Sequence, residues 1–363
     1  MENRSMKPPV LKNFQQPNAL PPSTLRTPRA FAVRPKNASV CIAYPMAWPI
    51  AGIFLFPLLL LFLFLIFFPH PAYAQDQDGL MMEITSGKAD LSAINVLLID
   101  GQGTHNWRET TPVLERTLEE TGLFDVTVVT TPAEWEDITN FQPDFSSFDV
   151  VLLNYCGKKW SDPACKALLQ FVAQGKGLVL CHSANFTFAD WPEFQPLLGV
   201  SAWNGRTETY GPYRYWEPGR GGMQYGISGP TGSVSSMTEY QIHSCAPDHP
   251  IMRGIPRQML HGPDELYAHL RGVPENAPNV QILAATPSPA ADGGSGRMEI
   301  QLMTVMYGKG RIFQIFYGHA GNQCRSVAFI VPFIRGTQWA ATGNVTIPIP
   351  EDIPTPEKSY HRP

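Results

Sequence analysis

Four short apolar runs, Ile94–Asp100, Phe124–Thr130, Asp149–Tyr155 and Gly177–Cys181, alternate with stretches that carry helix signals, and this alternation narrows the fold more than any other feature. Short apolar runs bounded by turn residues suit strands buried on both faces. In the first helix, Thr110 or Thr111 can cap, Pro112 suits the first position, and Gly122 stops the chain. Ser161-Asp-Pro163 opens a second helix that ends at Gly175. Such β-α-β units wind by right-handed crossovers, which predicts an α/β fold: a doubly wound, mostly parallel sheet with helices on both faces. The order expected is flavodoxin-like, with Ile94–Asp100 between the runs at Phe124–Thr130 and Asp149–Tyr155.

Beyond the fourth run the pattern loosens. Residues 191–248 are rich in Gly, Tyr and Trp without a long period and read as an irregular insertion. Val280–Ala284 is a further strand. Ile300–Tyr307 and Arg311–Phe316 form a hairpin through Gly308-Lys-Gly310. A closing helix from about Asn322 to Ala341 brings Phe329, Phe333 and Trp339 to the sheet, and residues 346–363 form a Pro-rich tail. The folded domain is thus expected over residues 90–345.

The N-terminal part differs in kind. Residues 1–49 hold nine prolines, seven basic side chains and one acid, with no hydrophobic period, and read as disordered. Residues 50–74 comprise an uncharged run, Ile50–Phe68, followed by Ala72-Tyr-Ala74. A basic segment, an apolar run and an A-x-A site make up a secretory signal cleaved after Ala74. The alternative is an uncleaved anchor, since the run is long enough to span a bilayer. Either way the domain is expected outside the cytoplasm, secreted or periplasmic in the first case and membrane-anchored in the second. A start at Met46 would leave no basic residue ahead of the run.

From Gln75 onward the chain carries 20 basic and 30 acidic residues, a balance that opposes wrapping a phosphate backbone and excludes nucleic acid as the expected partner. Five cysteines follow Ala74 without a CxxC, which argues against a zinc ribbon or a thioredoxin-type site.

Ligands of open parallel sheets bind beyond the carboxyl ends of the strands. His105, His182 and His319 each follow a predicted strand, so all three are expected to face one crevice. Imidazole serves as metal ligand, general base or sugar hydrogen-bond partner. A divalent metal such as zinc is therefore one cofactor the set admits, with Glu299 as a further candidate ligand beside the three histidines. No HExxH spacing marks a helix-borne zinc site. Glu265 joins the histidines as a catalytic candidate, and Trp107, Asn185, Glu208, Tyr210 and Asp264 are candidates for substrate binding. Tyr210, Tyr213, Tyr215 and Trp216 could form a sugar-stacking surface.

Several segments, in order, resemble one family. They are Val96-Leu-Leu-Ile-Asp-Gly-Gln-Gly-Thr-His-Asn-Trp107, Gly177-Leu-Val-Leu-Cys-His-Ser-Ala184, Asp248-His-Pro-Ile-Met-Arg-Gly-Ile-Pro256 and Asp264-Glu-Leu-Tyr267. Tyr307-Gly-Lys-Gly-Arg-Ile-Phe313 with Gly318-His319, and Thr337-Gln-Trp-Ala-Ala-Thr-Gly343, complete the set. The pattern resembles ThuA-like (trehalose-utilisation) proteins, and the resemblance implies a fold shared with class I glutamine amidotransferases. In those enzymes a nucleophilic cysteine sits on the elbow after the fourth strand. ThuA-like proteins place histidine there, here His182, which leaves Cys181 one residue early and pointing to the other side. The resemblance implies a role in disaccharide or ketosugar metabolism with a small carbohydrate as partner. That role is either acid–base catalysis by the His/Glu cluster, with or without a metal, or carbohydrate binding without catalysis. Where related chains tend to carry His-Glu, this one reads Met298-Glu299, a departure that bears on any role of the hairpin edge.

Overall fold

The structure is a computed structural model that describes residues 93–363 apart from 220–222, 227, 230 and 273–278. The basic segment 1–49 and the signal or anchor segment 50–74 lie outside the described residues. Among the described residues no helix is long and apolar enough to cross a membrane.

The four apolar runs become β1 (Ile94–Asp100), β2 (Phe124–Thr130), β3 (Val150–Leu153) and β4 (Gly177–Cys181). The middle of the chain adds β5 (Val200–Ser201), β6 (Tyr213–Tyr215), β7 (Met223–Tyr225), β8 (Ser233–Val234), β9 (Thr238–Ser244), β10 (Gln258–Asp264), β11 (Tyr267–Ala268) and β12 (Arg271–Gly272). The last three strands are β13 (Val280–Ser288), β14 (Arg297–Tyr307) and β15 (Gly310–Ile315). The central sheet has nine strands in the order β10-β9-β13-β14-β15-β4-β3-β1-β2. β15, β4, β3, β1 and β2 pair in parallel, with β1 between β2 and β3 as the winding predicts. The other four strands join antiparallel, beginning with the β14–β15 hairpin. Its two-residue turn needs a positive φ, which Gly308 supplies at 59°.

Successive side chains of a strand face opposite sides, and both sides are buried here. Val96 and Leu98 enter one core with α1 (Trp107–Glu119) and α5 (Val327–Thr342). Leu97 and Ile99 enter the other with α2 (Asp162–Ala173) and the short α3 (Gln195–Leu198). α2 starts as expected, its Ser161 hydroxyl accepting from the Ala164 amide. α1 begins a turn earlier than the proline suggested. Thr110 and Thr111 are buried and do not cap: Thr111 donates to Asp100, and the Asn154 amide donates to both hydroxyls.

The predicted closing helix divides into α4 (Gly321–Cys324) and α5. Pro332 inside α5 cannot donate to the Ala328 carbonyl, and the Tyr317 hydroxyl takes that place at 2.9 Å. The middle segment is more regular than its composition suggested, with a four-stranded sheet β5-β12-β6-β7 and a β8–β11 pair. The Pro-rich segment 346–363 lies along the domain. Its carbonyls at Thr355 and Tyr360 accept from Leu260 and Val327, amides that the main ladder and the start of α5 leave free.

The antiparallel wing positions the site by curling. Laid flat, β10 would stand four strands from β15, about 19 Å at ~4.8 Å per strand. Instead the Gly318 amide just past β15 donates to Asp264 at the end of β10, at 2.7 Å.

Candidate functional site

Four chain ends meet on the carboxyl edge of the sheet. His105 follows β1 through Gly101-Gln-Gly103, His182 follows β4 directly, His319 follows β15 through Gly318, and Glu265 follows β10. His182 has φ 46°, a left-handed conformation that costs a non-glycine residue about 1–2 kcal/mol and that turns its ring out of the sheet at the elbow. Cys181, one residue earlier, packs in the α5-side core, where burial pushes its thiol up to about 12. No cysteine nucleophile stands at the elbow, and all five described cysteines are free.

His105 Nε2 and His182 Nε2 lie 3.2 Å apart. Glu265 Oε2 stands 3.6 Å from His105 Nε2, 3.7 Å from His182 Nε2 and 3.1 Å from His319 Nδ1. The four ligand-type atoms all lie within 4.8 Å of one another. His182 Nδ1 donates to the Phe316 carbonyl at 2.9 Å, which leaves the Nε2 lone pair facing the cluster. Burial outweighs the attraction of Glu265 and keeps the His182 imidazolium below its ordinary pKa, so the ring is neutral. Burial raises the Glu265 carboxyl, but its place among three imidazoles, with the His105 hydrogen bond first, overcomes this and holds the group below the usual carboxylate range. The Tyr267 hydroxyl reaches His182 Nε2 at 2.6 Å. Burial keeps that phenol protonated well above the tyrosine range, so it is the donor. His319 Nδ1 is buried and, despite its distance from Glu265, has no partner in hydrogen-bonding geometry.

The donor set suits a divalent metal. With Zn–N and Zn–O bonds of about 2.0–2.2 Å, ligand atoms at a tetrahedral site stand roughly 3.3–3.6 Å apart, close to the separations from Glu265. Two features of the surroundings also fit: a backbone carbonyl fixes the His182 tautomer, and the Thr104 hydroxyl lies 3.1 Å from His105 Nδ1.

A cavity of about 310 Å³ opens over the cluster, lined by Thr104, His105, Phe186, Trp203, Asn204, Val234, Glu265 and Tyr267. Trp203 stacks edge-on to Phe186 and Tyr267 with centroids 4.9 Å away in both cases. Trp203 and Asn204 are both left-handed, at φ 52° and 50°. Buried Arg206 holds this loop, donating to the carbonyls of Phe186, Thr187 and Ala202.

The other site candidates are placed differently. Trp107, half-buried, opens α1 near His105 with the Arg108 guanidinium over its ring. Asn185 is buried beneath the elbow, its amide on the carbonyls of His182 and Ile315, and so supports the turn from below. Glu208 is exposed, and Tyr210 lines a separate cavity with Pro192, Pro196 and Pro212. Tyr213 and Tyr215 pack beside Arg271 and Arg297 rather than along the His-lined cavity. Glu299 is not in the cluster: it is buried on β14, bonded to the His269 amide, and burial pushes it up to about 7. Asp264 is fully buried and faces backbone amides. Of the lining residues, Thr104, His105, Glu265 and Tyr267 lie in the segments that carry the family resemblance. Phe186, Trp203 and Asn204 carried no sequence signal, because what brings them to the cavity is loop conformation.

The sequence profile of the ThuA family, described as trehalose utilisation, matches residues 95–340. A solved structure described as a thua-like protein from Parabacteroides merdae ATCC 43184 is 38% identical, with a TM-score of 0.71 over 74% of this chain and 98% of that one. A second thua-like protein, from Bacteroides uniformis ATCC 8492, is 13% identical over 70% of this chain and 96% of its own, with a TM-score of 0.48. No curated protein matches the chain. With the profile spanning most of the chain and a relative of this identity sharing the whole domain, the chain belongs to the ThuA family and has its α/β, glutamine amidotransferase-like fold.

Proposed function

We propose that this chain is a carbohydrate-processing enzyme in which His105, His182, His319 and Glu265 hold a divalent metal such as zinc at the floor of the aromatic-walled cavity. The convergence of three imidazole nitrogens and one carboxylate oxygen within 4.8 Å carries the reading. Its link to sugars rests on the family, whose description is trehalose utilisation. The cavity falls at the small end of small-molecule sites. When bound, a divalent metal supplies Lewis acidity toward a sugar oxygen and lowers the pKa of water. Trp203 offers an aromatic face to the C–H face of a sugar ring, and Thr104 and Asn204 offer hydrogen bonds to its hydroxyls. The three histidine contacts run to Glu265 Oε2, the carboxylate oxygen assigned to the metal.

The 2.6 Å bond from Tyr267 to His182 favours a second reading, metal-free acid–base chemistry, because the phenol occupies the Nε2 lone pair that a metal would need; a histidine of the cluster then moves the proton at a sugar hydroxyl. Metal analysis of the purified protein, with turnover of disaccharides and 3-ketoglycosides before and after chelation, separates the two. About one metal per chain, with activity lost on chelation and restored by zinc, is the expected result. Full turnover by metal-free protein rejects the metal and leaves the acid–base reading. Saturable sugar binding without turnover of any substrate makes the chain a carbohydrate-binding module.

The same proposal places the domain outside the cytoplasm, on the strength of the basic segment, apolar run and Ala72-Tyr-Ala74. Mass spectrometry of the exported protein is expected to find an N-terminus at Gln75. Retention of Ile50–Phe68 would make the segment an anchor instead.

A further inference from the structure

Beneath the cluster, Ser326, His261 and Asp264 form a hydrogen-bonded chain: Ser326 Oγ lies 2.9 Å from His261 Nδ1, and His261 Nε2 lies 2.9 Å from Asp264 Oδ2. The connectivity is that of a hydrolase triad, but all three residues are fully buried, so no substrate reaches the serine. We infer that this chain is a positioning device, in which His261, backed by Ser326, orients the Asp264 carboxylate that sets the backbones of Glu265 and His319. The inference rests on the proposed reading of the cluster as the functional site.

Three observations carry it. First, Asp264 joins both site residues. Its Oδ2 accepts from His261 Nε2 and from the Gly318 amide at 2.7 Å, while its Oδ1 accepts from the Glu265 amide at 2.8 Å and the His319 amide at 3.3 Å. With two donors fixed on Oδ2, rotation of the carboxylate is blocked and Oδ1 stays on the amides of Glu265 and His319. These residues follow β10 and β15, which are not neighbours in the sheet, so one carboxylate closes the curl of the antiparallel wing.

Second, the local structure departs from regularity in order to build the chain. Residues three apart on a regular strand face opposite sides. The register of β10 against β9 shifts between His261 and Asp264, and this bulge lets both side chains meet. Ser326 occupies the N-cap of α5 yet makes no capping bond, its hydroxyl facing His261 instead.

Third, the C-terminal segment covers the chain. Ser326 bridges to His361, the Val327 amide donates to the Tyr360 carbonyl, and a Cβ on Gly262 would stand 2.7 Å from the His361 ring. Water is thereby kept from the serine–histidine end.

His261→Leu and His261→Gln in the full-length protein test this. Leucine removes the donor to Asp264, whereas glutamine places an amide N–H near the position of Nε2. Zinc affinity, read by competition with a chromophoric chelator, is expected to fall about 10–100-fold in His261→Leu and to recover to within about 3-fold in His261→Gln. Amide exchange at Gly318 and His319 is expected to speed up in His261→Leu while β1 and β4 stay protected. This readout needs no metal, so it decides the inference even if the wild-type protein binds none. Unchanged exchange at 318 and 319, or loosening spread evenly over the domain, overturns it. Should His261→Leu fail to fold, Ser326→Ala removes only the far end of the chain and is expected to give the same local loosening in milder form; no loosening there overturns the inference.

Discussion

On the proposed metal reading, His182→Ala is expected to abolish metal binding and to lower turnover about 10³-fold, within the range assigned to a positioned acid–base group, while the protein stays folded. The ring contacts two other members of the cluster, His105 and Glu265. Its Nε2 faces His105, Glu265 and the Tyr267 hydroxyl, and its Nδ1 is tied to the Phe316 carbonyl. Truncation removes one of four donors and leaves the buried phenol of Tyr267 without its acceptor. The backbone at φ 46° is strained for alanine as for histidine, so the change in strain is small. His182→Asn, which tolerates the left-handed region better, is the matched control: folded, equally inactive, and as poor in metal. Metal content, steady-state kinetics and melting temperature measured on both variants provide the check. Retained turnover in a folded His182→Ala protein would move the chemistry away from the elbow.

The largest expected effect on stability lies elsewhere. Arg335 on α5 is buried without a carboxylate partner and donates to four backbone carbonyls. Nε reaches Ile251 at 2.8 Å, Nη2 reaches Pro250 and Arg253 at 2.9 Å each, and Nη1 reaches Ile347. One side chain thus ties the turn before β10 and the start of the C-terminal segment to α5. Arg335→Ala leaves those carbonyls unsatisfied and opens a void. A loss of roughly 3–5 kcal/mol is expected, each buried unsatisfied group costing about 1–3 kcal/mol and part of the loss relaxing by local movement. For a domain of this size that corresponds to a melting temperature lower by roughly 10 °C. Lysine cannot present a planar fork to four acceptors, so Arg335→Lys is expected to recover only a minor part. Urea unfolding of the three proteins measures this. A cost below ~1 kcal/mol for alanine would mean that the carbonyls find other partners.

How far the site was legible follows the same division between local pattern and long-range closure. The strands and their order could be read because apolar runs and turn residues are local signals, and because right-handed crossovers leave few windings for β1 to β4. His105, His182 and His319 could be placed on one edge by that rule alone. The start of α1 could not, since Thr110 and Thr111 spend their hydroxyls on Asp100 and Asn154, partners from other elements. The separation of Glu299 from the cluster was equally hidden. Nothing in Met298-Glu299 tells that the carboxylate turns to the His269 amide.

The sequence by itself determined the doubly wound parallel half, the elbow at His182 and the family, because each rests on residues close together in the chain. Only the tertiary structure decided how near Glu265 stands to each of the three histidines, that Phe186, Trp203 and Tyr267 wall the cavity, and that Asp264 serves the backbone of the site from beneath. Those outcomes depend on the curl that carries the end of β10 back to the end of β15 and on loop residues held at positive φ. Both arise from packing between distant segments, which no short window of sequence encodes.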